Sequence, residues 1–371
     1  MGHLVHSKEE VYRALAGRLN KNPVGAPVNE VLMNILHRLY TESEALVGSK
    51  FPLLPMTLDK IAGITGIGEQ ELKKLLDGMA DKGLVLDLPR RDSTYYMLAP
   101  MVVGFFEYTF MRVREEINMK DLAELFDLYF HRDDVKSEFF GGETRLMRGL
   151  VYESLIPAAV ETEVLNYERA SEIIRQSGGG ALSMCPCRHK ARHLGRACGA
   201  PVEDVCTSLG GASSWLVSRG MARAATADDL LRVLDKTEKL GLVHLGDNVI
   251  NNPTFICHCC GCCCVALGSI RNSGGKSGVH PSNFIPSLDK DQCIGCGSCA
   301  GSCHIGAVEM VEAHSGEQIP VINNDLCIGC GVCSAACPAG ALTMSRRTAL
   351  HVPPADKKEM FIRIAREKGR I

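Results

Sequence analysis

The chain has 371 residues, a length that suits two or three domains better than one hydrophobic core. Hydrophobic residues make up 46% and charged residues 23%, as in globular proteins, and the formal net charge of -2 excludes a strong general attraction to nucleic acid or anionic membranes. All 18 cysteines lie between Cys185 and Cys337, so chemistry that depends on thiols belongs to the C-terminal half.

The opening stretch, MGHLVHSKEEVYRALAG, lacks the basic start, apolar segment and cleavage site of a secretory signal. No apolar run reaches the roughly 18 to 20 residues that a transmembrane helix needs. We therefore expect a cytoplasmic protein with no membrane span. In that reducing compartment, metal binding explains a high density of cysteines better than disulfides do.

Residues 1–100 are predicted to form a mostly helical domain. The stretch VNEVLMNILHRLY has apolar residues at helical spacing, and TLDKIAGITGIGEQELKKLLDGMADKGLVLDL indicates a helix, a glycine-containing turn and a second helix. The following PRRDSTYYML can form a β-wing. From about residue 28 to residue 100, this order resembles the winged helix of the MarR and ArsR regulators.

DNA binding through this domain is the less favoured alternative. The second helix, predicted over Gly68 to Asp81, carries Lys73 and Lys74 among four acidic residues, whereas DNA contact requires a basic surface. Arg90 and Arg91 in the wing are the best candidates for phosphate contacts. We expect a docking or packing role instead, because a fold alone does not fix a function.

A helical connector is predicted over residues 101–180. The stretches DLAELFDLYF and PAAVETEVLNYERASEIIRQ both alternate apolar and charged faces. The stretch SGGGA, Ser177 to Ala181, is predicted to be a linker or turn before the first cysteines.

A cysteine-rich α/β region is predicted over residues 181–270, with its cysteines in two groups. The first group is Cys185, Cys187, Cys198 and Cys206. The second, within ICHCCGCCC, is Cys257, Cys259, Cys260, Cys262, Cys263 and Cys264. Neighbouring residues of an extended chain point to opposite faces, so the spacing favours Cys257, Cys260 and Cys263 as one ligand run. Cys259 and Cys262 form an interleaved pair.

These ten cysteines leave several arrangements open. The second group either holds one cluster or supplies ligands to two clusters on opposite faces of its loop. The first group completes a site alone or shares ligands with the second, and one or two further [4Fe-4S] clusters are expected in total. Structural zinc in a cysteine-rich loop is the alternative.

Histidine and basic side chains accompany the first cysteines. The histidines that could replace a cysteine ligand are His189, His193 and His258, although hydrogen bonding to sulfur or to solvent is the commoner role. The basic residues are Arg188, Lys190, Arg192 and Arg196. Positive charge beside a thiolate cluster offsets the cluster's negative charge and raises its reduction potential.

After a predicted linker over residues 271–286, residues 287–345 contain an internal duplication with the spacing C-x2-C-x2-C-x3-C. The first copy supplies Cys293, Cys296, Cys299 and Cys303, and the second supplies Cys327, Cys330, Cys333 and Cys337. This is the bacterial pattern for two [4Fe-4S] clusters, in which the fourth cysteine of each run ligates the other cluster. The predicted ligand sets are Cys293, Cys296, Cys299 and Cys337 for cluster 1, and Cys327, Cys330, Cys333 and Cys303 for cluster 2.

The duplicated segment resembles a dicluster ferredoxin domain, and eight cysteines in a doubled pattern make zinc a poor rival. His304 departs from the family pattern, because proline is usual after the fourth cysteine. The wider region from about Ile156 to Arg347, with CPCRHK and ICHCCGCCC, resembles uncharacterised iron–sulfur proteins of anaerobic bacteria and archaea. That resemblance implies a multi-cluster electron carrier.

The tail over residues 346–371 is rich in basic residues. An amphipathic helix is predicted there, with Met360, Phe361, Ile364 and Ile371 facing a neighbour. The tail either docks an acidic partner or packs across its own chain.

The sequence as a whole predicts an α+β protein that passes single electrons to or from a partner oxidoreductase, as a subunit or carrier in an anaerobic system. No catalytic residue is assigned, the redox partner is a protein or complex, and the oligomeric state stays open. Two alternatives remain. One is a redox-responsive winged-helix regulator, and the other is a reductase that acts at an open cluster site in residues 257–264.

Overall fold

Helices and strands alternate along the chain, and the computed structural model describes residues 2–272, 278–313 and 316–371. The α-helices are α1 Gly2–Asn20, α2 Glu30–Leu39, α3 Glu42–Ser49, α4 Leu58–Thr65, α5 Glu69–Asp81, α6 Phe106–Phe110, α7 Met119–His131, α8 Asp133–Phe140, α9 Ala170–Ser177, α10 Pro186–His193, α11 Gly210–Ser218, α12 Ala227–Lys239, α13 Val265–Asn272, α14 Ser298–Ser302, α15 Val332–Ala335 and α16 Lys357–Glu367. The strands are β1 Met56–Thr57, β2 Val85–Arg90, β3 Ser93–Leu98, β4 Met147–Leu150, β5 Gly179–Ser183, β6 Cys206–Leu209, β7 Arg223–Thr226, β8 Val243–Asp247, β9 Phe255–Cys259, β10 Val279–His280, β11 Phe284–Leu288, β12 Val308–Glu312, β13 Gln318–Ile322 and β14 Leu342–Arg346. This mixture fits the α+β class. Among the described residues, no helix has both the length and the apolar composition needed to cross a membrane.

In the N-terminal unit, residues 28–100, helices α2 to α5 accompany a three-stranded sheet of order β1-β3-β2. Helix α3 begins with a capping box in which Thr41 and Glu44 each bond the other's backbone N–H. Gly66 ends α4 with a φ of 76°, a left-handed conformation that glycine adopts without strain and that lets α5 turn back. The buried apolar faces of these elements form one core.

The N-terminal unit is anchored on the cysteine-rich region through Arg219, which directly follows α11. Its guanidinium donates to Asp81, at the end of α5, at 2.7 Å, and also to Asp87 of β2. Trp215 donates its indole N–H to the same Asp87 carboxylate at 2.8 Å. The acidic end of α5 is therefore directed at the rest of the chain.

A seven-stranded sheet of order β10-β4-β8-β9-β6-β5-β7 carries the cysteine-rich region. Neighbouring strands run antiparallel except β10 and β4, which are parallel. Strand β9, which contains Cys257 and Cys259, is paired on both edges, with β8 and β6. Because a strand paired on both edges has its register fixed from two sides, these cysteines sit on a rigid part of the fold.

Two segments that were predicted to be irregular contain strands. The predicted linker or turn at Ser177 to Ala181 was wrong from Gly179 onward, where β5 begins. A Cβ on Gly180 would lie 2.2 Å from the carbonyl oxygen of Ser208, so the glycine allows a close backbone approach within the sheet. The predicted linker over residues 271–286 contains β10 and the start of β11, and its residues 273–277 lie outside the described part of the chain.

The C-terminal repeat, residues 287–345, is built from two short helices and two strand pairs. Strand β11 pairs with β14, and β12 pairs with β13, both antiparallel. Each repeat begins its short helix after a left-handed glycine, Gly297 with a φ of 74° and Gly331 with a φ of 89°. These turns place the cysteines of each run around one point.

The tail packs across its own chain, the second of the two predicted alternatives. Met360 and Ile364 of α16 are buried, whereas Ile371 is 73% exposed, so the prediction that Ile371 faces a neighbour was wrong. After the helix, Lys368 and Arg370 both donate to Glu138, at 2.6 and 2.8 Å. The basic charge of the tail is thus partly neutralised within the chain.

The pair between Lys190 of α10 and Asp127 of α7 generates a prediction for stability. The two charged groups are 2.8 Å apart, and only 4% of the lysine side chain is exposed. Burial acts to raise the pKa of Asp127, but the hydrogen bond and charge of Lys190, together with the charges of Arg196 and His131, lower that pKa. Asp127→Asn leaves a buried ammonium unpaired and is expected to cost about 3 kcal/mol in the free energy of unfolding.

Urea unfolding under anaerobic conditions measures this effect. Glu124→Gln on the same helix is the matched control, because Glu124 and its partner Lys120 are exposed and 4.0 Å apart. Equal unfolding midpoints for the two variants would contradict the role given to Asp127.

Candidate metal-cluster sites

The C-terminal repeat brings eight cysteines into two sets of four, each drawn from both copies. Cys293, Cys296, Cys299 and Cys337 line one small cavity of about 20 Å³, and we call this set the outer repeat site. Three of its cysteines come from the first copy and the fourth comes from the second. Apolar side chains close the rest of the cavity, so the soft sulfur atoms are its only side-chain metal donors.

The other four cysteines, Cys303, Cys327, Cys330 and Cys333, form what we call the inner repeat site. Burial raises the pKa of Cys333 to about 12, and the nearby charges of Cys327 and Cys303 act in the same direction. The backbone N–H of Ala307 donates to the sulfur of Cys303 at 3.2 Å. Crowded thiolates of this kind fit a cationic metal core, because metal binding requires deprotonated sulfur.

The two repeat sites differ in their exposure. At the outer site Cys296 is exposed, and Ile294 beside it is 68% exposed. At the inner site Cys327 and Cys333 are buried, and the carbonyl of Cys330 accepts a hydrogen bond from the backbone of Tyr152 at 3.2 Å. The outer site is therefore accessible to another molecule, while the inner site faces the seven-stranded sheet.

The middle cysteines divide into two sets, and the first is compact. Cys198, Cys260, Cys262 and Cys263 have sulfur atoms that all lie within 4.8 Å of one another, and we call them the compact set. The sulfur of Cys260 is 3.5 Å from that of Cys198, and the sulfurs of Cys262 and Cys263 are 3.6 Å apart. One cysteine of the first sequence group thus joins three of the second.

This arrangement differs from the ligand run predicted over Cys257, Cys260 and Cys263. The extended chain ends with β9 at Cys259, and residues 261–263 form a turn. In a turn, neighbouring side chains no longer alternate between two faces, so Cys262 and Cys263 point to the same site. Cys257 lies on the strand and is not part of the compact set, so the three cysteines of the predicted run do not share one site.

Five of the other six middle cysteines are linked pairwise by sulfur contacts, and we call them the cavity set. Its members are Cys187, Cys206, Cys257, Cys259 and Cys264. The register of β6 with β9, Thr207 opposite Ile256, brings Cys206 beside Cys257. A contact with Cys264 and burial raise the pKa of Cys187 well above its usual value. Cys185 lies between the two sets, where burial raises its pKa to about 12 and both Cys187 and Cys260 contribute.

Arg188 connects the two groups of cysteines. Its side chain is buried, and it donates to the sulfur of Cys260 at 3.4 Å, to the carbonyl of His258 at 2.5 Å and to the carbonyl of Pro201 at 3.1 Å. Hydrogen bonding from Cys263 and the charge of Arg188 lower the pKa of Cys260 to about 3. A thiolate is thereby favoured at Cys260, as metal ligation requires.

The other predicted accessory residues do not bond to the cysteine sulfurs in the described structure. His258 hydrogen-bonds Thr237 at 2.9 Å, and His189 bonds the carbonyl of Phe110 at 2.8 Å and the ring of His193. Lys190 and Arg196 both pair with Asp127, and Arg192 pairs with Glu203. Of the four basic residues predicted beside the clusters, Arg188 is the one that reaches sulfur.

Sequence reasoning missed the role of His304, which follows Cys303 of the inner site. Its Nδ1 accepts a hydrogen bond from the backbone N–H of Gly261 at 3.2 Å, and its Nε2 donates to the carbonyl of Gly241 at 2.7 Å. These partners fix the neutral tautomer with the proton on Nε2. Its departure from the usual proline was the available signal.

Comparison with known proteins agrees with the geometry of the repeat. Residues 287–344 match the family described as the 4Fe-4S dicluster domain. No curated protein and no solved structure matches the chain. The dicluster domain and the clustered cysteines support [4Fe-4S] clusters as the cofactors and an iron–sulfur electron-transfer role as the class of function.

Arg188 generates a prediction for the compact set. Arg188→Met removes a positive charge and a hydrogen bond from Cys260, so the reduction potential of a cluster held there is expected to become more negative. Three lost hydrogen bonds are also expected to cost about 3 kcal/mol in the free energy of unfolding. An EPR-monitored redox titration measures the potential.

Arg192→Met on the same helix is the control, because the side chain of Arg192 is 49% exposed and pairs only with Glu203. Potentials that shift equally in both variants would reject a specific effect of Arg188 on the compact set.

Proposed function

We propose that the chain relays single electrons from a redox partner at the outer repeat site, through the inner repeat site, to the cysteines of the middle region. The observation that carries this proposal is the contact between His304 and Gly261. It joins the residue after Cys303 to the residue between Cys260 and Cys262. The inner repeat site and the compact set are therefore neighbours across one imidazole ring.

This contact is tightly packed. A Cβ on Gly261 would lie 2.2 Å from the carbonyl oxygen of His304, so glycine permits an approach that other residues would prevent. Both ring nitrogens of His304 are engaged, and the ring is held in one orientation. The arrangement holds the loop of the compact set directly against the residue that follows Cys303.

The four sites would then lie in a sequence from the outer repeat site to the cavity set. The outer site has the exposed Cys296, the inner site is buried against the sheet, the compact set follows across His304, and Cys260 and Arg188 lead on to the cavity set. Bound [4Fe-4S] clusters supply one-electron donors and acceptors. The chain supplies the spacing, the burial and, through Arg188, the positive charge that tunes them.

The proposal treats residues 1–100 as a winged-helix-like docking unit rather than a DNA reader. Its element order, with two helices before a β-hairpin, supports the winged-helix interpretation. However, Asp77 and Asp81 of the second helix are directed at Arg219, and Lys73 is paired with Asp77 at 2.7 Å. Arg90 lies over the ring of Tyr95. Because these charged side chains are already paired within the chain, the unit is better suited to packing against the chain than to contacting DNA phosphates. We also propose that the protein works in the cytoplasm with a partner oxidoreductase.

Iron and acid-labile sulfide content, measured anaerobically with reduced-state EPR, tests the number of sites. We expect the wild type to contain roughly 12 to 16 irons per chain, and a variant with Cys198, Cys262 and Cys263 changed to serine to lose about four of them. The matched control carries serine at Cys293, Cys296 and Cys299, which should remove an outer-site cluster and leave the middle signal. About eight irons in the wild type would restrict the clusters to the repeat and end the relay proposal.

His304→Pro tests the connection between the inner site and the compact set. Proline is common at this place in dicluster ferredoxins, so folding and iron content should be preserved, while electron transfer into the middle clusters should slow several-fold. Rapid-freeze EPR after addition of a reductant separates the signals over time. His304→Gln, which keeps a donor and an acceptor, is the control, and equal rates in the proline variant and the wild type would contradict the proposed path.

A further inference from the structure

A cavity of about 1080 Å³ lies beside the middle cysteines, a volume slightly above the usual range for small-molecule sites. Its wall includes the segment around residues 100–111, strands β6 and β9 with the cysteines that they carry, and helix α16 through Lys357 and Phe361. Nothing in the cysteine spacing predicts such a space, because its walls are distant in sequence.

The cavity has a polar mouth and a thiol-lined inner end. Gly210, Gly211, Asn251 and Asn252 line it and are exposed to solvent, whereas the cavity set lines it from buried or half-buried positions. Strand β6 runs from one end to the other, from Cys206 to Leu209 just before Gly210. Four residues of strand span about 13 Å, so an elongated molecule can enter at the mouth and reach the sulfurs.

Between these ends the wall is mainly hydrocarbon and aromatic. The ring-bearing residues that line it include Phe106, Tyr108, Phe130, Tyr167, Trp215 and Phe255. Tyr108 and Trp215 lie with ring centroids 4.9 Å apart. Faces of this kind favour apolar and ring-bearing molecules over sugars or phosphates.

The basic side chains of Arg188 and Lys357 also line the wall, and they already bond Cys260 and Asp247, respectively. The acidic side chain of the wall is Glu107. Its Oε2 accepts a hydrogen bond from the backbone N–H of Gly104 at 2.7 Å, and its charge acts on Cys187 of the cavity set. Protein surrounds the carboxyl group, and the accessible part of its side chain faces the cavity. Burial raises the pKa of Glu107 to about 7. A carboxyl group in these surroundings disfavours an anionic ligand and can hydrogen-bond a polar group on a neutral one.

We propose that this cavity is a binding site for a neutral, predominantly apolar and ring-bearing organic molecule, whose inner end lies against the cavity set. The inference goes beyond the relay, and only its link to electron transfer rests on the proposed function. The cavity set occupies one wall, and most of the remaining lining offers no metal ligand, so a cluster on those cysteines leaves room for a second occupant. The lining of the cavity would suit either a permanently bound cofactor or an exchangeable substrate of this kind.

Two measurements on the full chain, purified anaerobically, test the site. The first extracts the protein with organic solvent and identifies stoichiometric small molecules by mass spectrometry, which detects a resident cofactor. The second titrates the protein, before and after extraction of any resident molecule, with Nile red, a neutral aromatic fluorophore. Either a stoichiometric apolar molecule or saturable binding of one probe per chain is expected.

Ala212→Trp places a large ring in the wall near the mouth and is expected to weaken Nile red binding by about tenfold or more. Ala224→Trp, on the exposed edge strand β7 and outside the cavity lining, is the matched control and should bind as the wild type does. Gly211→Phe is a second cavity variant, because a Cβ at that position meets no atom within 4 Å. Circular dichroism verifies folding in each variant.

The EPR signals of the bound clusters show where the probe binds. Saturating Nile red should change the EPR signal assigned to the cavity set and leave the repeat signals unchanged. The absence of both a resident molecule and saturable binding, or equal affinity in all three variants, would overturn the inference. If the chain has its full iron content and its clusters can be reduced, but the probe does not bind, the cavity site is rejected and the relay is not. If the probe binds to a chain with about eight irons, the relay is rejected and the cavity site is not.

Discussion

The buried guanidinium of Arg188 is the interaction on which the cysteine-rich region depends. It bonds one sulfur, at Cys260, and two carbonyl groups, at His258 and Pro201, and so joins its own helix to the loop at Pro201 and to the end of β9. Burying a cation is costly unless it is fully paired, and here the compensating negative charge is a thiolate. Fold and metal ligation are thereby coupled: the arginine stabilises the ligand, and the ligand compensates the arginine.

The sequence predicts a ligand set well when the cysteines of that set are close together along the chain. It does not predict a set whose cysteines are brought together by the fold. The doubled spacing from Cys293 to Cys337 predicts two sets of four, because three ligands of each set lie in one short loop. Cys198 reaches Cys260 only through the order of strands in a seven-stranded sheet, which no spacing reveals. The division at Cys259 and Cys260 depends on where β9 ends, and strand ends are poorly determined by pattern.

The same distinction applies to the rest of the chain. Helices with apolar residues at helical spacing, such as α2 and the amphipathic tail helix, could be predicted because their signals are contained within the segment. Strand β5 was mistaken for a turn because glycine permits both a turn and a close approach between strands. The cavity could not be predicted at all, since it is a space between elements rather than a property of any one of them.

The contact of His304 with Gly261 also bears on the order in which the protein matures. The loop that contains the compact set is synthesised about forty residues before the histidine that packs against it, and it cannot reach its final position until the C-terminal repeat has emerged and folded. Metal insertion in the middle region is therefore tied to completion of the chain. A prematurely terminated chain would lack the surface that holds this loop, and such a product would be marked by unprotected thiols.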